Sequence, residues 1–292
     1  MKIDEDIILI AGPTASGKTT LAIEIALAND CVIINTDSMQ VYNDLAIITA
    51  RPDACELSQA PHLLFGHVDA GVHFSVARWL EDAAPLLAQF AQDKRKMVFV
   101  GGTGLYFNAL ILGLSPIPEV DQAVRDKWRN ATDRTAEELH QELANLDHVA
   151  ALELRPSDRQ RILRALEVIE STGKSIHHWQ AQKGEALIPD GMAVKKLLLM
   201  PERGLLHDRI NQRFDTMMEY NALEEVAQLL ARNLPPDLPA MKAIGVPQLA
   251  AFLRDELPMH DAIEKAKAAS RQYAKRQITW FRNSFDERWE MV

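Results

Sequence analysis

The chain has few cysteines and no long apolar run, and these two absences exclude several classes of protein. Cys31 and Cys55 are the two cysteines among 292 residues, too few for a disulfide scaffold or a four-cysteine zinc site. No stretch approaches the ~20 apolar residues of a membrane-spanning helix, and the acidic start MKIDEDIILIAG does not resemble a cleavable signal. We therefore expect a cytoplasmic protein with reduced thiols.

Positive charge is also scarce. The chain has 32 Lys and Arg against 41 Asp and Glu, a formal net charge of -9. This balance argues against nonspecific nucleic-acid binding by the whole surface, although it leaves room for a local basic groove. Hydrophobic content of 47% and charged content of 25% are typical of a folded globular chain.

Short apolar runs alternate with helical patterns in the first third of the chain. Ile7 to Ala11, Val32 to Asn35 and Met97 to Val100 are each followed by turn residues and a helix-like segment, which indicates parallel strands buried on both faces. From residue 116 the spacing is helical, until a strand-like KKLLLM begins at Lys195. The pattern predicts an α/β core, a parallel sheet flanked by helices, over residues 1–115 and 195–292, interrupted by an all-helical insertion domain over 116–194.

The segment GPTASGKT matches the G-x-x-x-x-G-K-[ST] phosphate-binding loop and lies between a predicted strand and an apolar-periodic helix. In such a loop, backbone N–H groups surround a phosphate, Lys18 adds positive charge and the Thr19 hydroxyl can bind magnesium. The alternative is a glycine-rich turn without a ligand. The context favours a phosphate-binding fold like that of P-loop NTPases. The predicted phosphate-binding residues are Gly12, Pro13, Thr14, Ala15, Ser16, Gly17, Lys18 and Thr19.

An acidic residue is missing where ATP-driven proteins of this fold carry one. The strand MVFV ends in two glycines and Thr103 instead of a magnesium-binding carboxylate. Asp37 follows the second strand, and ligands gather at the carboxyl ends of parallel strands. We therefore expect Asp37 and Thr103 both to face the phosphate loop. Asp37 is the best candidate for a catalytic carboxylate, although a helix cap or an indirect partner of a metal is an alternative role.

Five motifs, in this order, resemble those of the tRNA dimethylallyltransferases, also called tRNA isopentenyltransferases. They are GPTASGKT, TDSMQVY, VGGTGLY, DRQRILRALEVIESTGK and RQYAKRQITWFR, and they extend from about Ile8 to Arg282. The resemblance implies an enzyme that transfers a dimethylallyl group from dimethylallyl diphosphate to the exocyclic N6 of the adenosine just 3′ of the anticodon in tRNA, with magnesium. The phosphate loop would then hold a diphosphate leaving group, which explains the missing strand-end acid.

The chemistry of this transfer suggests roles for the candidate residues. Lys18 and a magnesium ion on Thr19 would stabilise the charge that develops on the departing diphosphate. The adenine amine must lose a proton, which is a general-base task for Asp37. By analogy with the family, Thr103 would hydrogen-bond near the reacting amine or phosphate. Ser38, Met39 and Gln40 would line the extruded adenine.

Two basic segments are candidates for tRNA contacts. In the first, Arg161 and Arg164 lie three residues apart, beside an apolar stripe. Gln160 in the same segment either contacts RNA or forms a capping box with Ser157. The second is the C-terminal helix, where a solvated charged face is the ordinary alternative. Its basic stripe is Lys267, Arg271 and Lys275, followed by Arg276.

Three further residues match family positions near the RNA. They are Lys242 and Gly245, in the segment KAIGVP, and Arg125 in the predicted insertion. Val246 and Pro247 depart from the family pattern, which usually has an aromatic and a basic residue there. The rival functions are a small-molecule kinase with a phosphate loop, a prenyltransferase acting on free adenine nucleotides, and a noncatalytic RNA-binding protein. We expect a monomer.

Overall fold

The computed structural model describes residues 2–189 and 191–292, which form two compact units. One comprises Met1–Ile111 and Leu187–Val292, and the other comprises Leu112–Ala186. The divisions differ from those expected at 116 and 194. Residues 187 and 188 belong to the first unit because their N–H groups donate to the Leu110 carbonyl oxygen at 3.0 and 3.1 Å, and because the Ile188 side chain is buried in that unit's core.

A parallel sheet organises the first unit, as the apolar runs predicted. Its strand order is β3-β2-β4-β1-β5-β6, and every pairing is parallel. The central β1 pairs with β4 on one side and β5 on the other, so that Ile7 lies opposite both Met97 and Val194. The strands are β1 Ile7–Ala11, β2 Val32–Asn35, β3 His62–Leu63, β4 Met97–Gly101, β5 Val194–Leu198 and β6 Glu290–Met291.

Helices cover both faces of this sheet and build the second unit. In chain order they are α1 Lys18–Asn29, α2 Ala54–Gln59, α3 Val76–Gln92, α4 Gly104–Leu112, α5 Gln122–Arg129, α6 Ala136–Leu146, α7 His148–Glu153, α8 Arg159–Thr172, α9 Ile176–Gln180, α10 Arg203–Glu219, α11 Ala222–Ala231, α12 Val246–Leu253 and α13 Met259–Ser284. A short 3₁₀ helix spans Ala240–Lys242. Within the described residues, no helix combines the length and apolar character needed to cross a membrane.

Alternation along β1 separates two cores in the first unit. Ile7 and Leu9 point into a large core on one face, whereas Ile8 and Ile10 point into a smaller core beneath α1 on the other. Every residue of β1 is buried, as expected for a strand whose two faces are both covered by helices. The carboxyl end of β1 is thereby held rigidly where the phosphate loop begins.

The second unit is entirely helical in its described residues and has its own core around Trp128, Leu139 and Leu166. Here one prediction about a helix start is wrong. The carboxylate of Asp158, not the Ser157 hydroxyl, accepts the Arg161 N–H at 3.3 Å and caps α8. Both residue types are favoured caps, so the local pattern did not distinguish them, and the Ser157–Gln160 capping box is not formed.

Candidate active site

Two cavities lie side by side at the carboxyl ends of β1, β2 and β4. The larger one, about 400 Å³, lies over the phosphate loop, and the smaller one, about 270 Å³, lies against α10 and α13. Both cavities are bounded by the same four residues, so each opens onto the same junction. The shared residues are Thr14, Asp37, Thr49 and Arg213.

The phosphate loop has the backbone conformation that its glycines predict. Gly17 has φ 95°, a left-handed value that glycine adopts without steric cost, and it directs the chain into α1. Gly12 lies under the loop, where a Cβ would be 2.9 Å from the Leu199 carbonyl oxygen. Of the predicted residues, Thr14 to Thr19 line the larger cavity, whereas Gly12 and Pro13 are buried at its base.

The Lys18 ammonium has a carbonyl partner in the loop itself. Its Nζ donates to the Pro13 carbonyl oxygen at 2.7 Å. Burial lowers the pKa of Lys18 to about 8, the Asp37 charge acts against that shift, and the Arg213 charge adds to it. A lysine with this pKa changes its charge near neutral pH, so an anion in the cavity would favour its charged form.

Arg213 lines both cavities and was not among the residues predicted from the sequence. Its guanidinium donates to the Thr14 hydroxyl at the junction of the cavities. Burial lowers the pKa of Arg213 to about 10, and the Asp37 charge opposes the shift. Arg209 lies one helical turn away and lines the larger cavity. The spacing of these two arginines was a visible signal, but the sequence contained nothing to place α10 beside the phosphate loop.

A buried amide holds Asp37 in place. The Asn35 side chain accepts the Asp37 N–H at 2.8 Å and donates to the Asp37 carbonyl oxygen at 3.0 Å. The Asp37 Oδ1 atom accepts the Met39 N–H at 2.9 Å. The backbone is therefore fixed on both sides of the carboxylate, and one carboxylate oxygen has a defined donor. Asp37 does not cap a helix of the structure, which removes that alternative.

Thr103 joins the loop after β4 to the loop after β2. Its hydroxyl accepts the Ser38 N–H at 3.0 Å and donates to the Ser38 hydroxyl oxygen at 3.2 Å. The Tyr273 side chain of α13 lies near Thr103. Burial and then the Asp37 charge raise the pKa of Tyr273, which keeps its hydroxyl protonated. Thr103 therefore contacts Ser38, the residue after Asp37, but Asp37 borders both cavities and Thr103 is not among the lining residues of either one.

The glycines after β4 allow close packing. A Cβ on Gly101 would lie 2.2 Å from the Thr36 carbonyl oxygen, and one on Gly104 would lie 1.9 Å from the Trp280 ring. A Cβ on Gly102 would lie 2.3 Å from the Gln277 side-chain nitrogen. The GGTG segment is therefore the surface onto which α13 packs. This close packing is a second reason, besides the binding of a leaving group, why β4 does not end in an acidic residue.

The predicted adenine-lining residues separate into two places. Ser38 and Met39 line the smaller cavity together with Asp37. Gln40 faces the larger cavity, where its side-chain nitrogen donates to the carbonyl oxygens of Thr49 and Ala50 at 3.0 and 2.9 Å. Gln40 consequently fixes the loop between the cavities and does not share the smaller cavity with Ser38.

The expected RNA-contacting residues of the first unit differ in their exposure. Lys242 and Arg276 line the smaller cavity and reach solvent, and Lys275 is also exposed. Gly245 is buried, with φ 101°, and its N–H donates to the Gln248 side chain. Here a Cβ would lie 2.5 Å from Ile48, so packing and conformation account for this glycine.

The basic stripe on α13 is shorter than predicted. Lys267 bonds to Asp215 at 2.7 Å and to Glu264 at 3.1 Å, and 11% of its side chain is exposed. Arg271 is partly buried and donates to the Asn211 side chain. Of the three residues predicted to form the stripe, Lys275 is exposed and the other two are partly buried.

In the second unit, Gln160 and Arg161 are exposed on α8. The Arg161 side chain is 76% exposed and lies 3.5 Å from the Asp158 carboxylate. Arg164 forms an ion pair with the buried Glu167 carboxylate at 3.6 Å, so part of its charge is already balanced within the second unit. Arg125 on α5 is partly buried, and its Nε has no hydrogen-bond partner among the described residues.

The oxygen donors around the phosphate loop suit a magnesium ion that is bound mainly through a substrate. The described residues contain no group of three His, Cys, Asp or Glu side chains arranged to hold a metal. Thr19 lines the larger cavity, and the buried Ser16 hydroxyl in the same loop has no partner among these residues. Magnesium prefers oxygen ligands and commonly binds through substrate phosphates and water, so the donor set fits this ion.

Comparison with known proteins agrees with the geometry. Residues 40–284 match the family described as IPP transferase. The chain is 51% identical over 283 residues to a tRNA dimethylallyltransferase from Chelativorans sp., covering 97% of each chain. It is 50% identical over 290 residues to a tRNA dimethylallyltransferase from Rhizobium meliloti, covering 99% of this chain and 95% of the relative.

Two solved structures resemble the fold over nearly the whole chain. A tRNA isopentenylpyrophosphate transferase from Bacillus halodurans has a TM-score of 0.69 and 34% identity, covering 99% of this chain and 90% of that one. A eukaryotic dimethylallyltransferase acting on tRNA has a TM-score of 0.80 and 27% identity, covering 95% of this chain and 70% of that one.

Proposed function

Because the chain belongs to the IPP transferase family, we propose that it transfers a dimethylallyl group from dimethylallyl diphosphate to N6 of the adenosine 3′-adjacent to the anticodon in tRNA. The observation that carries this proposal is the junction of the two cavities at Asp37 and Arg213. A diphosphate in the larger cavity and an adenine in the smaller one would meet beside the same carboxylate.

The larger cavity supplies positive charge for a leaving diphosphate. Lys18 and Arg213 are held close to each other in a largely buried environment, and each has a lowered pKa. An approaching diphosphate oxygen would replace the Pro13 carbonyl oxygen that Lys18 now contacts. Preorganised donors of this kind stabilise charge that develops in the transition state at little reorganisation cost. Magnesium, bound through Thr19 and the diphosphate, would neutralise further charge on the leaving group.

The smaller cavity offers apolar walls for the prenyl tail and the base. Ile48, Phe214 and Met217 lie on these walls, opposite the polar edge formed by Asp37 and Ser38. Each tail carbon transferred from water to such walls contributes about 0.8 kcal/mol. Extracting the adenine from its stack costs a few kcal/mol, so contacts of this cavity with the base and tail would offset that cost.

The reaction exchanges one bond at the allylic carbon. The bond from C1 to the diphosphate oxygen breaks, the oxygen keeps the electron pair, and a bond forms between C1 and the adenine N6. The N6 proton passes to Asp37, whose Oδ1 is held by the Met39 N–H, leaving Oδ2 to accept the proton. Thr103, held by its hydrogen bonds with Ser38, would hydrogen-bond near the reacting amine or phosphate.

We propose that both units contact the tRNA. In the first unit, the exposed cations beside the smaller cavity are Lys242, Lys275 and Arg276, with Arg271 next to them on α13. In the second unit, Arg161 and Arg164 present charge on α8. Contacts with phosphates would supply salt-dependent affinity despite the acidic composition of the whole chain.

A labelled-donor experiment tests the proposal. The protein is incubated with Mg²⁺ and dimethylallyl diphosphate carrying a labelled prenyl group, separately with bulk tRNA, with AMP, and with ATP plus kinase acceptors. We expect label in tRNA, at the adenosine 3′ of the anticodon, and no label on AMP. Label on AMP alone, or ATP turnover without transfer to tRNA, would overturn the proposal in favour of a nucleotide prenyltransferase or a kinase.

A further inference from the structure

We propose that Gln277 is a positioning residue that fastens the phosphate loop to the loop after β4, and so keeps the diphosphate subsite and Thr103 in one rigid frame. The effect that we predict for Gln277 on turnover rests on the proposed function. The effect that we predict on diphosphate binding does not rest on it, because diphosphate binding requires only that the two loops be held together.

The Gln277 side chain bridges two loops that are far apart in the sequence. Its Oε1 accepts the Thr14 N–H at 2.9 Å, and its Nε2 donates to the Gly102 carbonyl oxygen at 2.8 Å. The residue is 6% exposed, and its bond to the Gly102 carbonyl oxygen is buried, whereas its bond to the Thr14 N–H is partly buried. The Gly102 carbonyl oxygen therefore depends on this amide to avoid being buried without a hydrogen bond.

The chemistry of the bridge matches an amide closely. One loop offers a donor and the other an acceptor, and a glutamine carries the complementary acceptor and donor on one carbon. Asparagine has the same groups on a stem that is one methylene shorter. The bridge also needs Gly102, where a Cβ would come within 2.3 Å of the Gln277 nitrogen.

The bridged loops carry the two halves of the site. The phosphate loop places Lys18 and Thr19 on the larger cavity. The loop after β4 carries Thr103, which holds Ser38 beside Asp37. Tyr273, one turn before Gln277 on α13, lies near both Thr103 and Gln277.

Loss of the bridge should therefore change the distance between the groups that bind the leaving diphosphate and the site that holds the acceptor amine. Without the amide, the buried Gly102 carbonyl oxygen loses its partner, and the two loops lose the side chain that joins them. A displacement of about 1 Å between reacting groups can reduce a rate by about 10²-fold. The affinity for tRNA should remain unchanged, because the Gln277 side chain is buried and both of its hydrogen bonds are to other residues of the protein.

Gln277→Met tests the inference, with Gln272→Met as its matched control. Gln272 lies on the same helix and is exposed, so the same change there leaves both loops untouched. Three quantities are measured for each variant: binding of inorganic diphosphate by calorimetry with Mg²⁺ and an anticodon stem-loop RNA present, kcat and KM for dimethylallyl diphosphate, and the affinity for that RNA.

For Gln277→Met we expect diphosphate affinity to fall about tenfold or more and kcat to fall about 10- to 100-fold, with RNA affinity unchanged. Gln272→Met should behave as wild type. Diphosphate affinity and kcat within twofold of wild type, or an equal loss of RNA affinity, would overturn the inference. If the wild-type protein proves inactive on tRNA and Gln277→Met still binds diphosphate more weakly than wild type, the positioning role of Gln277 is supported and the proposed function is refuted.

Gln277→Asn keeps the experiment decisive if the methionine variant fails to fold. It preserves the amide but cannot span both loops, so the same losses are expected in a protein whose thermal unfolding matches wild type. Wild-type diphosphate binding by Gln277→Asn would overturn the bridging role.

Discussion

Replacing Asp37 by asparagine isolates the charge and basicity of this side chain from its shape. The asparagine oxygen can still accept the Met39 N–H, and the backbone remains held by Asn35. The loop should therefore keep its conformation. Loss of a general base lowers turnover by roughly 10²- to 10⁴-fold, and this is the magnitude we expect for Asp37→Asn.

A second effect of the same substitution works through Lys18 and is smaller. The Asp37 charge raises the pKa of Lys18, which is about 8 in the protein, so Asp37→Asn lowers it. A lysine with a pKa of about 8 is about nine-tenths charged at pH 7, so Asp37→Asn removes part of this charge. Partial loss of one positive charge is a smaller change than removal of the general base.

The assay is a single-turnover transfer at pH 7 with enzyme in excess and saturating dimethylallyl diphosphate. RNA binding is measured in parallel and should remain near wild type. Asp121→Asn is the matched control, because the exposed Asp121 carboxylate caps α5 by accepting the Ala123 N–H at 2.8 Å, asparagine is an equally good cap, and Asp121 lines neither cavity. A rate for Asp37→Asn close to that of the control would refute the general-base role.

Three further predictions concern other parts of the site. Because Lys18 has a lowered pKa of about 8 and an anion favours its charged form, affinity for a diphosphate monoester should change little between about pH 7 and 8, where the terminal phosphate is ionised, and fall above pH 8 by up to about tenfold per pH unit, as followed by calorimetry. Arg271→Ala with Lys275→Ala should weaken tRNA binding and reduce the slope of log affinity against log salt by about 0.7 to 0.9 per lost phosphate contact. Gly104→Ala places a Cβ 1.9 Å from the Trp280 ring and should lower the free energy of unfolding by about 1–3 kcal/mol in a denaturant titration.

Each of these three has its own control. Lys18→Met should bind the monoester weakly with no pH dependence, whereas a wild-type affinity that stays flat to pH 9.5 contradicts the first prediction. Lys94→Ala, at an exposed position after α3, should leave the salt slope unchanged, and an unchanged slope in the double variant would remove α13 from the RNA interface. Adding Trp280→Leu to Gly104→Ala should recover part of the lost stability, since it removes the clashing ring.

Individual residues show which features of the structure could be predicted from the sequence and which could not. The phosphate loop, the strands before it and after it, and the proximity of Asp37 to Thr103 followed from short-range patterns and from the parallel sheet. The cap of α8 did not, because Ser157 and Asp158 are neighbours with similar capping ability. The sequence also did not reveal that Lys267 is already paired and so less available for RNA, because its partner Asp215 lies on a different helix.

The sequence by itself determined the phosphate loop and the parallel sheet because glycine conformation, strand burial and helix periodicity depend on neighbours within a few residues. The tertiary structure alone decided that Arg213 lies between the cavities and that Gln277 joins Thr14 to Gly102. Those contacts connect residues separated by as many as 263 positions. Such pairs are brought together by the packing of α10 and α13 against the sheet ends, which no local pattern of side chains encodes.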